Sequence, residues 1–166
     1  FYTAQVISAP SSARAHSAVA FAVYQPANEL DQAAYHYQRA VQIFPQYHEA
    51  WNNLGLIKKA QGNLAGAIND FETALKWHDK HVAARVNVGQ AYQTLGENKK
   101  AIDAYLIALE GDSTHAIANN NLAILYAQHG KVDSARGLFE RVLRHHPNYL
   151  SAQKNYQLFL DAVRKP

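Results

Sequence analysis

Four asparagines recur at a fixed interval and are the polar side chains of this sequence best suited to recognise another molecule. An amide offers both a hydrogen-bond donor and an acceptor, so a column of amides can pair with the backbone of an extended peptide whatever its side chains. Asparagine is a middling helix former, and helix propensity therefore does not account for the column. The four residues, each 34 positions after the last, are Asn53, Asn87, Asn121 and Asn155.

A second set follows one helical turn after the asparagines, and three of its four members are aliphatic. Two interpretations are open. The set forms an apolar strip that a partner covers, or it packs against the neighbouring part of the same chain. The residues are Leu56, Gln90, Ile124 and Leu158.

The histidines raise the question of a metal site. His78 lies near His81, and His145 is followed by His146, but neither pair has the spacing of a zinc motif and no cysteine assists. We therefore interpret them as solvated turn residues. Glycine-rich phosphate loops and Gly-x-Ser-x-Gly elbows are also missing. The sequence predicts a protein that is not an enzyme and needs no cofactor.

Composition places the chain among folded domains rather than disordered ones. It has 166 residues, 48% apolar and 17% charged, with no apolar run long enough for a membrane span. Lacking cysteine, it suits the cytoplasm or the periplasm equally, so the compartment stays open. It does not start with methionine, and we expect a processed product or a piece of a longer protein.

The net charge of +3 is small. A solvated helical face explains it better than a nucleic-acid surface, which makes nucleic acid an unfavoured partner. Arg136, Arg141 and Arg144 are the candidates for that unfavoured alternative.

The elements that carry these residues repeat every 34 positions, which is the signature of a solenoid. Gly62, Gly96 and Gly130 follow this interval. Apolar residues at helical spacing precede and follow each glycine, and a glycine there suits a left-handed C-terminal cap. Each repeat is therefore predicted to consist of two helices joined by a tight turn. Such a pair buries its apolar stripe only by stacking on the next pair.

The interval divides the chain into four repeats and two ends. Residues 1–13 are read as a tail or linker, with binding in a groove as an extended strand as the alternative. The predicted repeats are 14–47, 48–81, 82–115 and 116–149, followed by a capping helix over 150–166.

The residues inside each unit identify a family. Trp51, Leu54 and Gly55, followed by Gly62, Ala67, Phe71 and Ala74, resemble the tetratricopeptide repeat. The resemblance implies an all-α fold, a right-handed superhelical α-solenoid of four helix-turn-helix repeats plus a C-terminal capping helix. It also implies that the first helix of each pair lines a concave groove.

On those first helices the asparagine column resembles the asparagine ladder of the repeat domain in O-linked N-acetylglucosamine transferase. The alternative is that asparagine at this position reflects only the family average. Repeats that clamp acidic chaperone tails pair such asparagines with cations, and here Glu49, Ala83 and Ile117 stand in the matching places. A chaperone-tail receptor is therefore not expected.

Three residues depart from the family pattern. Lys58 replaces the usual tyrosine, Phe21 replaces a small residue, and Pro26 enters the first turn. The first pair is therefore expected to cross at an altered angle.

The leading hypothesis for function is a non-catalytic interaction scaffold that binds a peptide segment or helix of a partner protein in its groove. The alternative is a structural or oligomerisation domain of a larger assembly, such as a bacterial envelope biogenesis factor or a repeat-containing transferase. That alternative includes self-association through the first helix or the N-terminal tail.

Overall fold

The structure, a computed structural model, describes residues 12–164, and every regular element in that range is helical. The predicted tail lies almost entirely outside the described range. The predicted all-α fold class is confirmed. The helices are α1 Ala13–Val19, α2 Leu30–Ile43, α3 His48–Ala60, α4 Leu64–Trp77, α5 Val82–Thr94, α6 Asn98–Gly111, α7 Ala116–Gln128, α8 Val132–His145 and α9 Leu150–Arg164, with a π-helix, Ala20–Tyr24, directly after α1.

The turns inside the helix pairs have the left-handed conformation that the sequence predicts. Gly62, Gly96 and Gly130 have φ values of 81°, 75° and 71°. In the first repeat Asn28 occupies the corresponding place, 34 residues before Gly62, with a φ of 57°. Asparagine is among the few residues other than glycine that tolerate this conformation, so the first repeat keeps the same turn without a glycine.

The chain divides into two compact units, one ending at Asn87 and one beginning at Val88. In the first unit α1 packs on α2, α2 on α3, and α3 on α4. Tyr37 and Phe71 are fully buried. A Cβ atom on Gly55 would lie 2.6 Å from Cε1 of Phe71, which shows how closely the Phe71 ring packs against α3.

The first repeat begins with an irregular helix, while the altered crossing angle expected for its helix pair stays a prediction. The π-helix at Ala20–Tyr24 contains Phe21, whose side chain is 66% exposed. A π-helix adds a residue to the turn and rotates the side chains around it. The bulky ring therefore lies in solvent and does not have to fit where the family has a small residue.

In the second unit α6 packs on α7, α7 on α8, and α9 against both α7 and α8. Tyr105 and Phe139 are its largest fully buried side chains. Phe159, on α9, lies with its ring centroid 5.6 Å from that of Phe139. Helix α9 therefore covers an apolar face of the last repeat, the role predicted for it.

No helix in residues 12–164 is both long and apolar enough to cross a membrane.

Candidate peptide-binding site

A directed chain of side-chain hydrogen bonds runs through the second unit. The Asn155 amide donates to Oδ1 of Asn120 at 3.0 Å, and the Asn120 amide donates to Oδ1 of Asn121 at 3.0 Å. The Asn121 amide donates to the Tyr105 hydroxyl at 3.1 Å, and that hydroxyl donates to Oε1 of Gln93 at 2.8 Å. We call this chain of five residues the second amide relay.

The first unit contains a matching relay, the first amide relay. The Asn87 amide donates to Oδ1 of Asn52 at 2.9 Å, and the Asn52 amide lies 3.4 Å from Oδ1 of Asn53. Asn53 bonds to the Tyr37 hydroxyl, which donates to Oε1 of Gln25 at 2.8 Å.

Each member of the second relay lies 68 residues after its counterpart in the first, so the polar network recurs in every second repeat of the chain. At the position halfway between the buried asparagines Asn52 and Asn120 stands Val86, which cannot take part. The tyrosines likewise alternate with Phe71 and Phe139. This 68-residue alternation can be read from the sequence. It is the signal by which Asn52, Asn120 and the two tyrosines, which the 34-residue pattern missed, could have been found.

Burial fixes the direction of both relays. It raises the pKa of Tyr37 and of Tyr105 to about 12, against the smaller opposing effect of the asparagine bonds. Both hydroxyls therefore stay protonated and donate to their glutamines. Because every inner amide passes a donor onward, the outermost residues, Asn87 and Asn155, are left with carbonyl oxygens that have no hydrogen-bond partner among the described residues.

An apolar cavity of about 240 Å³ lies beside the outermost residue of the second relay. Its lining comes from α7, α8 and α9. Leu158, one of the lining residues, is 59% exposed, a high value for an aliphatic side chain. The residues that line the cavity are Ile124, Ala127, Gln128, Phe139, Asn155, Leu158 and Phe159.

The structure thus brings three of the eight predicted site residues together: Ile124, Asn155 and Leu158 line one cavity. The other asparagines take part in the relays, Asn121 in the second, Asn53 and Asn87 in the first.

Two predicted residues, Leu56 and Gln90, lie half-buried on α3 and α5. Neither the groove-facing nor the packing interpretation of this pair is tested by these positions.

Three histidines of the first unit, His48, His78 and His81, form a cluster that the sequence did not predict. The His48 ring lies 4.6 Å from that of His78 and 5.1 Å from that of His81, centroid to centroid. Burial, followed by the nearby His48 and His78, lowers the pKa of His81, although Glu49 acts in the opposite direction. No group of three or more His, Asp or Glu side chains within the described residues is placed to hold a metal ion.

Comparison with known proteins agrees with this architecture. Three sequence models of the tetratricopeptide repeat match the chain, over residues 27–62, 52–116 and 118–144. The chain belongs to the tetratricopeptide repeat family. Its fold is also that of a solved structure, YrrB, described as a TPR protein with an unusual peptide-binding site. The TM-score to YrrB is 0.79 at 20% sequence identity, and the match covers 97% of this chain and 82% of YrrB.

Two similar proteins of known sequence are much longer than this tetratricopeptide repeat chain. Tetratricopeptide repeat protein 8 of Caenorhabditis elegans is 32% identical over 106 residues, which are 63% of this chain and 21% of that protein. The probable UDP-N-acetylglucosamine–peptide N-acetylglucosaminyltransferase SPINDLY of Hordeum vulgare is 28% identical over 118 residues. That match spans 67% of this chain and 12% of the transferase.

Proposed function

We propose that this chain is a non-catalytic interaction scaffold that binds a peptide segment of a partner protein, and that the cavity beside Asn155 is one of its binding sites. The observation that carries the proposal is an apolar cavity lined by Asn155, whose amide oxygen has no hydrogen-bond partner among the described residues. Peptide recognition needs both features, because pockets select side chains while polar groups satisfy the peptide backbone.

The cavity suits a side chain better than a cofactor. At about 240 Å³ it is smaller than typical small-molecule sites, which run from roughly 300 to 1,000 Å³. Ile124, Phe139, Leu158 and Phe159 give it an apolar wall. Helix α7, which contributes Ile124, contains no charged residue. We therefore infer that the site takes an uncharged aliphatic or aromatic side chain.

The Asn155 oxygen supplies the backbone contact. One N–H of its amide nitrogen donates to Asn120, and its oxygen accepts no bond within the described residues. We therefore assign the oxygen to the ligand contact, and its complement is a peptide N–H. Successive hydrogen bonds polarise one another, so the relay through Asn121 and Tyr105 strengthens this acceptor. Asn87 stands in the same position in the first relay and is the corresponding acceptor of its unit.

The test is a selection of displayed peptides on the full chain, followed by affinity measurements with single variants. Leu158→Asp places a charge on the cavity wall and is expected to abolish binding of the selected peptides. Leu150→Asp is the matched control, since Leu150 is 75% exposed on the same helix and does not line the cavity. Selected peptides that bind Leu158→Asp as tightly as the parent would contradict the proposal.

Asn155→Ala tests the backbone contact. It is expected to weaken every selected peptide to a similar extent, because a backbone contact does not depend on peptide sequence. Circular dichroism of each variant shows whether the helices remain formed.

A further inference from the structure

Helix α8, in the second unit, carries an acid, a glycine and a base in one line. Asp133, Gly137 and Arg141 follow one another at intervals of four residues, which places them on one side of the helix with about 12 Å between acid and base. All three are exposed. Within the described part of the chain, neither charged side chain has an ion-pair or hydrogen-bond partner.

An open groove of about 620 Å³ adjoins this line. Leu106, Leu109 and Leu138 contribute apolar surface to it, and Leu106 is 41% exposed. A Cβ atom built on Gly137 would meet no other atom within 4 Å. The backbone of α8 is therefore open to close approach at the middle of the line.

The first repeat contains the same pattern in a satisfied form. On α2, Asp31 and Arg39 correspond to the acid and the base, and Tyr35 stands between them. Asp31 accepts a hydrogen bond from Gln61 at 2.8 Å, and Arg39 donates to Gln42 at 2.7 Å. The last repeat thus keeps the two charges but lacks the central side chain, and neither charge has a partner among the described residues.

We propose that a second copy of this chain covers the groove, with the two α8 helices antiparallel and crossing at Gly137. A two-fold axis through this crossing sets Asp133 of each copy opposite Arg141 of the other, because acid and base are equally far from the glycine. Such an interface is self-complementary, as two-fold contacts require. It covers Leu106 and the half-buried Leu109, and the antiparallel helix dipoles also attract.

The pattern selects this occupant over others. A different partner helix would have to present a base, a small residue and an acid at the same spacing. An antiparallel second copy of α8 already presents Arg141, Gly137 and Asp133 in that order. The surface involves neither the amide relays nor the cavity beside Asn155, so the inference is independent of the proposed peptide site.

Sedimentation equilibrium of the full chain over a roughly hundredfold concentration range tests the proposal. The parent is expected to show a monomer–dimer equilibrium. Gly137→Tyr, which copies Tyr35, is expected to be monomeric with unchanged helicity. Arg141→Asp turns two attractive contacts into repulsive ones and is expected to weaken the dimer by more than about tenfold.

Two further variants separate this interface from general charge effects. Lys154→Asp makes the same charge change on α9, at an exposed residue that does not line the groove, and should leave the dimer constant within about threefold. Combining Asp133→Arg with Arg141→Asp re-forms both pairs in the reverse sense and should restore dimerisation. A parent that is monomeric throughout would overturn the proposal, as would a dimer that Gly137→Tyr leaves intact or that Arg141→Asp and Lys154→Asp weaken equally.

Discussion

The ammonium group of Lys58 lies 2.7 Å from a carboxylate oxygen of Asp70, and the Asp70 side chain is 1% exposed. Burial raises the pKa of that carboxyl, while the bonds from Lys58 oppose the shift. At the corresponding positions the next repeat has Tyr92 and Ala104. The lysine that departs from the family pattern is therefore matched by an acid inside the same repeat.

Removing one member of this pair should be costly. Lys58→Ala leaves the Asp70 carboxylate buried without its counter-ion, and we expect the free energy of unfolding to fall by about 3–5 kcal/mol. Lys58→Tyr combined with Asp70→Ala copies the next repeat and should return stability to within about 1 kcal/mol of the parent. Chemical denaturation measures both. A double variant as unstable as Lys58→Ala would show that the ion pair is not what balances the site.

The glycines of the helix pairs differ in what surrounds them. A Cβ atom on Gly55 would lie 2.6 Å from the buried Phe71 ring, so Gly55→Ala is expected to overpack the pair and cost about 1–3 kcal/mol. Gly137→Ala meets no atom and removes a flexible residue from a helix, so it should stabilise by about 0.5–1 kcal/mol. Thermal melts at low protein concentration measure both changes, and equal effects would contradict the packing explanation.

The contribution of the Tyr105 hydroxyl to the second relay can be tested by removing that hydroxyl. Tyr105→Phe leaves the Asn121 amide and the Gln93 oxygen without their shared partner, and it should cost about 1–3 kcal/mol of stability. It should also lower the affinity for peptides that bind beside Asn155. Tyr156→Phe is the control, because the Tyr156 bond to Glu140 is exposed and its loss should cost less than about 0.5 kcal/mol. Equal losses in the two variants would argue against the relay.

The first unit should lose stability in mild acid. The pKa of His36 is lowered by burial and by His16, whose Nδ1 lies 3.1 Å from that of His36. Tyr24 and Tyr35 also pack against the His36 ring. The unfolded chain titrates near a pKa of about 6.5, above the folded value, so it binds more protons below that pH. Stability is therefore full above the unfolded pKa and falls as the pH drops through it.

The lowered pKa of His81 acts in the same direction within the same unit. Hydrogen exchange at pH 7 and pH 5 should show protection falling more in residues 12–87 than in residues 88–164. His36→Gln should reduce this difference, whereas His145→Gln, which changes an exposed histidine of the second unit, should not. Equal loss of protection in both units would contradict the prediction.

The sequence predicted the helix pairs well because their determinants are local. The spacing of apolar residues and the glycines at 62, 96 and 130 act within a few residues, and the turns have the left-handed conformation expected of them. From Phe21 and Pro26 the sequence predicted an altered crossing angle of the first helix pair, but it did not predict the π-helix at Ala20–Tyr24. A π-helix depends on how well several successive turns of one helix pack, and a single substituted position does not reveal that.

The candidate site was predictable only in part. The 34-residue pattern predicted Asn155 as a site residue, and Ile124 and Leu158 one helical turn after the asparagines, and the structure places these three around one cavity. It did not identify Asn120 or Tyr105, because these residues repeat every 68 positions and lie on the inner side of the column.

The sequence by itself determined that this protein is a set of helix pairs with a 34-residue period, because each pair is specified by contacts and conformations close together in the chain. The tertiary structure alone decided how the polar residues are used. Whether the Asn155 amide meets solvent, a ligand or Asn120 depends on the packing of α9 against α7, which brings residues 35 positions apart into hydrogen-bond distance. The same holds for Lys58 and Asp70: their charges are legible in the sequence, but only the packed helices bring them together.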